Sequence, residues 1–178
     1  MHPIKHFMVI TKHRNQVIKH CAKCGIFWQG LRHDLSKYTP TEFFQGAKHF
    51  IGTRSPNEGE RATKGFSSAW MHHQGRNKHH FEYWKDYNLA TRRLSPVKMP
   101  YRYVIEMFCD RVAASKIYQG AQYSDSHPLA YFMRSKATRE IHPETSNELE
   151  FLLTELATHG EKHTFRIIKQ RIKDKYQY

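Results

Sequence analysis

The sequence predicts an all-α protein folded as a single domain, and three observations carry that expectation. Apolar residues recur at helical spacing almost everywhere, no credible strand or internal repeat is visible, and Pro, Thr and Gly stand where helices start and stop. At 178 residues the chain is long enough for one real core and too short for two ordinary ones. The hydrophobic fraction is low at 39%, but aromatics make up 13% of the residues and can fill a compact core, which argues against a disordered chain.

Taken in order, Phe7, Ile10, Arg14, Val17 and Cys21 step by three or four, so residues 4–24 make one amphipathic helix that stops at Gly25. A second short helix is expected from Ile26 to about Leu35. "TPTEFFQGAKHF" starts a third, with Thr39 or Thr41 as cap, Pro40 in the first turn and Glu42 following. Residues 52–66, "GTRSPNEGERATKGF", collect Gly, Ser, Pro, Asn and charge without period and read as a long exposed loop. Helix is expected again over 67–90, bent at Gly75, until "SPVKMP" breaks the chain. The most apolar helix follows at Tyr101 to Gln119. "HPETSNELEFLLTELATHG" supplies Pro143 and acidic residues at a helix start and Gly160 after its end, leaving residues 161–178 as a C-terminal helix.

The net charge of +13 and a pI near 9.8 call for an anionic partner, either a phosphorylated small molecule or nucleic acid. The Lys and Arg residues are dispersed, and no common nucleic-acid-binding signature stands among them. No run of about 18 apolar residues occurs and the N-terminus is interrupted by His and Lys, so the protein is expected to be soluble and cytoplasmic, with no membrane partner. A homo-oligomer is compatible with the sequence. Cys21, Cys24 and Cys109 form no even framework, and "CAKC" has no second half, so they read as core thiols.

Candidate chemistry begins at "GLRHDLSKYTPTEF". On a helix, His33 and Asp34 project about 100° apart and offer a neutral nitrogen and an anionic oxygen to one cation. If the first two helices form a hairpin at Gly25, His20 and His13 lie within roughly 4 to 6 Å of His33 in height, and His6 more than 15 Å away, at about 1.5 Å per residue. Asp110 interrupts an apolar helix, with Glu106 one turn before it, and a carboxylate so placed needs a partner: a cation, or Arg111 and a backbone donor.

The segment "SSAWMHHQGRNKHHFEYW" holds His72, His73, His79 and His80 within nine positions. Histidines seven apart on a straight helix are about 10.5 Å apart along its axis, too far for one metal bound at about 2.1 Å. A break at Gly75 lets His72 or His73 approach the later pair, or the four serve two neighbouring metals. The plain alternative is a wet surface with stacking aromatics, but histidine pairs this dense need partners if they are buried.

The order His13, His33-Asp34, a downstream histidine cluster and Asp110 resembles the H...HD...H...HH...D pattern of the HD-domain superfamily of metal-dependent phosphohydrolases. "HDLSK" is similar to the "HDIGK" of the HD-type cyclic-dinucleotide phosphodiesterases. "AWMHHQGRNKHHFEYW", "MPYRYVIEMFCDRVAAS" and "IHPET" further resemble a family of small bacterial and phage proteins over residues 4–160. The resemblance implies an HD-domain-like helical bundle. It makes His33 and Asp34 central metal ligands, Asp110 the distal carboxylate and His13 the first histidine, in preference to His20. His73, His79 and His80 complete a second metal position or contact phosphate; His72 stands apart because adjacent helical histidines seldom face one site.

The function implied is a metal-dependent phosphohydrolase acting on a nucleotide or other phosphorylated substrate. The metal is divalent, among manganese, cobalt, iron, zinc and magnesium. Asp34 bridges the metals or orients the attacking water, and Lys37, Arg76 and Lys78 neutralise phosphoryl charge. Two alternatives use the same residues: an HD-type di-iron oxygenase, and a non-catalytic nucleic-acid-binding protein with a structural metal.

Overall fold

The computed structural model describes residues 1–178, and most of them are helical. α1 (Pro3–Cys24) has Pro in its first turn and ends at Gly25, whose φ of 86° closes the last turn. Its buried stripe, His6, Ile10, His13, Val17, His20, Cys21 and Cys24, has helical period but carries histidine where an ordinary amphipathic helix carries Leu. α2 (Phe27–Gly30) is a single turn, and a 3-10 turn at Leu35–Tyr38 leads into α3 (Pro40–His49). α4 (Pro56–Lys64) and α5 (Ser68–Gln74) follow. A small antiparallel hairpin of β1 (Lys85–Asn88) and β2 (Arg93–Pro96) separates them from α6 (Tyr101–Gln119), α7 (His127–Arg134) and α8 (Pro143–Lys173).

The core lies between α1, α6 and α8, where Val17 and Cys21 meet Val104, Ile105, Phe108 and Val112 of α6 and Leu149, Leu152, Leu153 and Leu156 of α8. Phe132 of α7 is buried in the same core. α3, α4 and α5 form a second group that reaches the rest through α1. The metal-ligand candidates fall where α1, the 31–34 turn, α5 with the turn after it, and α6 meet.

Four expectations from the sequence need correction. The second helix does not extend to Leu35: the chain turns at 31–34, and Asp34 takes a left-handed conformation at φ 55°, so His33 and Asp34 sit on a turn. Residues 52–66 are not one loop, because α4 occupies 56–64; its buried residue is Glu60, so no apolar period marked it. Residues 67–90 hold only the short α5, then turns and the hairpin. The Asn88 side chain accepts from the N–H groups of Ala90 and Thr91 and shapes the hairpin turn. Last, the C-terminal helix is present beyond Gly160, which breaks α8 at φ 75° and ψ 172° as expected, but it ends at Lys173, short of 178.

Close packing fixes the 31–34 turn. A Cβ at Gly30 would come within 2.6 Å of Cys21 Cβ, so only glycine lets α2 lie directly on α1. Arg14 Nε donates to the His33 carbonyl at 3.1 Å, and its Nη2 donates to the Leu31 carbonyl. No helix is long and apolar enough to cross a membrane.

Candidate metal centre

Four elements bring the side chains together. α1 supplies His13, the 31–34 turn His33 and Asp34, α5 and the turn after it His73, His79 and His80, and α6 Asp110 and Glu106. The break after α5 at Gln74 lets His73 and His80 meet, with their Nε2 atoms 2.9 Å apart.

Two groups of ligand atoms share Asp34. On one side, His33 Nε2 lies 3.2 Å from Asp34 Oδ2 and 3.6 Å from Asp110 Oδ1. His13 Nε2 lies 2.9 Å from that same Asp110 oxygen and 3.9 Å from Asp34 Oδ2. On the other side, Asp34 Oδ1 faces Nε2 of His73 at 3.3 Å and of His79 at 3.4 Å, with His80 completing the group. Ligands held at about 2.1 Å on perpendicular axes of one ion lie about 3.0 Å apart, close to these separations.

The residues fit a metal on two further counts. Nε2 of His13, His33 and His79 and Oδ1 of Asp34 are buried without a well-aligned hydrogen bond, and what they face at 2.9 to 3.9 Å is one another, His73 and Asp110. Buried polar atoms left in this way cost about 1–3 kcal/mol each unless something else binds them. In addition, carboxylates fix the tautomers. Glu106 Oε1 meets Nδ1 of His33 at 2.9 Å and Nδ1 of His79 at 3.2 Å, and Glu42 Oε2 meets Nδ1 of His73 at 2.8 Å. With the protons held on Nδ1, all three histidines in their neutral form would turn an Nε2 lone pair toward Asp34.

The electrostatics favour a cation. Burial works against the charge of Asp34, yet His33, Lys37 and His73 hold its pKa well below the usual carboxylate range; His13 and His33 do the same for Asp110. Against the same penalty, His33 and His79 hold Glu106 at about 2. His80 goes the other way: burial, with His79 and His73 beside it, drives its pKa well down and leaves the imidazole neutral and able to ligate. Without metal, burial opposes charge on His33, but Asp34, Asp110 and Glu106 raise its pKa well up, so it carries a compensating proton that metal binding must displace.

A cavity of roughly 230 Å³ reaches the centre at His13, His73, His80 and Asp110. Val9, Ile10, Ala114 and Ile117 give it an apolar wall, Trp70, Phe50 and Tyr118 an aromatic one, and Lys37 and Arg54 its positive charge. Lys37 Nζ lies 2.6 Å from Asp34 Oδ2.

Other candidates fall elsewhere. Arg76 and Lys78 do not line the cavity: Arg76 donates to the His72 carbonyl at 3.3 Å, and Lys78 lies 5.7 Å from the centre of the Tyr83 ring. Both are exposed, because the turn after α5 spends its inward positions on Asn77, His79 and His80. His20 is buried away from the centre, with Nε2 on Gln16 and Nδ1 on the Cys109 carbonyl, so neither nitrogen is free. His72 meets Glu42 Oε1 at 2.6 Å and supports the carboxylate that orients His73. Cys21, Cys24 and Cys109 are buried free thiols.

Glu42 was missed as a site residue. In the sequence it reads as an acidic residue of a first helical turn, and the signal available was its place on the same face as Gly46 and Ala47, the buried residues of α3. Glu60 was also missed. It is 1% exposed and accepts from Ser67, Ser68 and the Ala69 N–H, which holds the start of α5. A further grouping, Glu155 with His159 and His163, lies on the surface of α8. There Arg166 donates to His163 Nδ1, which directs the Nε2 proton to Glu155, an ordinary ion pair.

A mostly helical scaffold with buried His, Asp and Glu groups able to hold metal ions defines the class of this protein. The chain belongs to the family described as "Family of unknown function (DUF5662)", whose model matches residues 2–155. No curated protein and no solved structure matches it.

Proposed function

We propose that the protein is an HD-domain-like metal-dependent phosphohydrolase, acting on a small phosphorylated substrate of the nucleotide class, whose metal ions would be held by two groups of residues that share Asp34. The observation that carries this reading is the division of Asp34: Oδ2 faces His13 and His33, which also meet Asp110, while Oδ1 faces His73 and His79. A divalent pair held by these residues would supply Lewis-acid stabilisation of phosphoryl oxygens and would make a water acidic enough to serve as nucleophile near neutral pH.

The chain's own residues do the rest. Asp34 and Asp110 hold negative charge in a buried place and set the spacing of the two ligand groups. Burial disfavours the Lys37 ammonium, but Asp34 and Asp110 raise its pKa, so it is charged at every physiological pH and stands ready to pair with a phosphoryl oxygen at the cavity side of Asp34. Val9, Ile10 and Ile117 exclude water from one wall, and Trp70 offers a ring face to the organic part of a substrate. The net charge of +13 draws anions to the surface.

A recess of roughly 230 Å³ with apolar and aromatic walls favours a small molecule over a polymer segment. The five imidazoles of the centre also suit iron, which keeps a di-iron oxygenase as the second reading. The test is phosphate release from a panel of nucleotides by protein loaded with manganese, cobalt, zinc, iron or magnesium. Release with at least one metal, lost in Asp34→Ala, supports the proposal. Iron binding with visible colour and no release favours the oxygenase, and salt-sensitive polyanion binding without turnover favours the nucleic-acid reading.

A further inference from the structure

His6 lies in the wall of the cavity but belongs to neither ligand group. It is 6% exposed, and its Nδ1 is buried without a hydrogen-bond partner. The ring is seated against Gly46 of α3, where a Cβ would stand 2.3 Å from Nε2 and 2.6 Å from Cε1. A glycine inside a helix costs about 1 kcal/mol relative to alanine, so the chain gives up helix stability at the place where this imidazole needs room. Phe43 and Phe50 flank the ring at centroid distances of 5.5 and 5.8 Å. Burial, with a smaller contribution from Lys37, pushes the His6 pKa down to about 4, so the ring is neutral and offers one donor and one acceptor.

We infer that His6 is a specificity-determining residue that hydrogen-bonds a neutral polar group on the organic part of the substrate, about 10 Å along α1 from His13. The inference rests on the phosphohydrolase reading and narrows it. The substrate is a phosphate monoester of a ring-sized, hydrogen-bonding alcohol such as a nucleoside, whose phosphoryl group sits at the centre and whose far end reaches His6. A simple aryl or alkyl phosphate fills the reacting end and leaves His6 without a partner.

The experiment uses the metal-loaded full chain with ribonucleoside 5′-monophosphates and phenyl phosphate, reading phosphate release and, by calorimetry, binding. His6→Phe is expected to keep the wild-type metal content and the wild-type kcat/KM on phenyl phosphate, and to lose about tenfold in kcat/KM and affinity on the best nucleoside monophosphate. His6→Asn, which restores a hydrogen-bonding group, should recover part of that loss. Gly46→Ala, which displaces the ring without removing it, should reproduce the loss. If His6→Phe retains its metal and the ratio between the two substrate types is unchanged, the inference is overturned while the phosphohydrolase reading stands. If no phosphate is released but His6→Phe weakens nucleoside monophosphate binding tenfold, His6 stands as a ligand-binding residue and the phosphohydrolase reading falls. Absence of both binding and release in the wild type overturns both.

Discussion

Glu106 Oε1 stands 2.9 Å from Nδ1 of His33, and so fixes which nitrogen of a buried histidine faces Asp34. The same oxygen serves His79, so one carboxylate on α6 orients a histidine in each ligand group. Gln29 Nε2 donates to its other oxygen at 2.5 Å and holds it in place. Glu106→Gln is therefore expected to lower metal affinity about tenfold to a hundredfold while leaving the fold intact, read by competition titration against a chromophoric chelator. Unchanged affinity would mean that the tautomers are fixed by other groups.

Lys37 approaches Asp34 from the cavity side and contacts no other carboxylate within ion-pair distance. Lys37→Gln should retain metal and lose about a hundredfold in phosphate release, with the loss mainly in kcat if the ammonium meets charge that develops in the transition state. A variant that loses its metal instead would identify Lys37 as a support for Asp34.

Glu60 stabilises the start of α5 and thus the approach of His73. Burial penalises its charge, but Ser68, Ser67, Lys64 and the Ala69 N–H depress its pKa from the ordinary 4.5 to about 2. A depressed carboxyl contributes stability that is present above the unfolded value and lost as pH falls through the folded one. The thermal stability gap between wild type and Glu60→Gln should be constant above about pH 5 and close between pH 4.5 and about 2. A gap that persists at pH 2 would show that the side chain matters through shape and not through charge.

Gly30→Ala tests the contact that seats the His33 turn. The added methyl would meet Cys21 Cβ at 2.6 Å, and overpacking of this kind costs about 1–3 kcal/mol. Denaturant unfolding should show a lower midpoint with an unchanged slope, and a wild-type midpoint would mean that α2 moves freely on α1.

The long helices were legible because apolar residues carry their period: Tyr101–Gln119 has the expected limits, and α1 stops at Gly25 as its glycine implies. The residues that meet around Asp34 stood out by other signals: the adjacent His33 and Asp34, four histidines within nine positions, a carboxylate at Asp110 in an apolar helix, and the resemblance that singled out His13. Short elements whose buried residue is charged were not. Glu42 in α3 replaces the apolar signal with a carboxylate whose partners, His72 and His73, lie far along the sequence, and Glu60 in α4 replaces it with one held by Lys64 and the polar groups that start α5. The outward turn of Arg76 and Lys78 depends on which way the chain leaves α5, and periodicity does not specify that.

The central claim is that Asp34 joins two metal positions, and metal stoichiometry tests it most directly. The wild-type chain should hold close to two divalent ions, His80→Ala and Asp110→Ala close to one each, and Asp34→Ala close to none. A wild type that binds no more metal than Asp34→Ala would contradict the account, and the buried histidines would then be a hydrogen-bonded core.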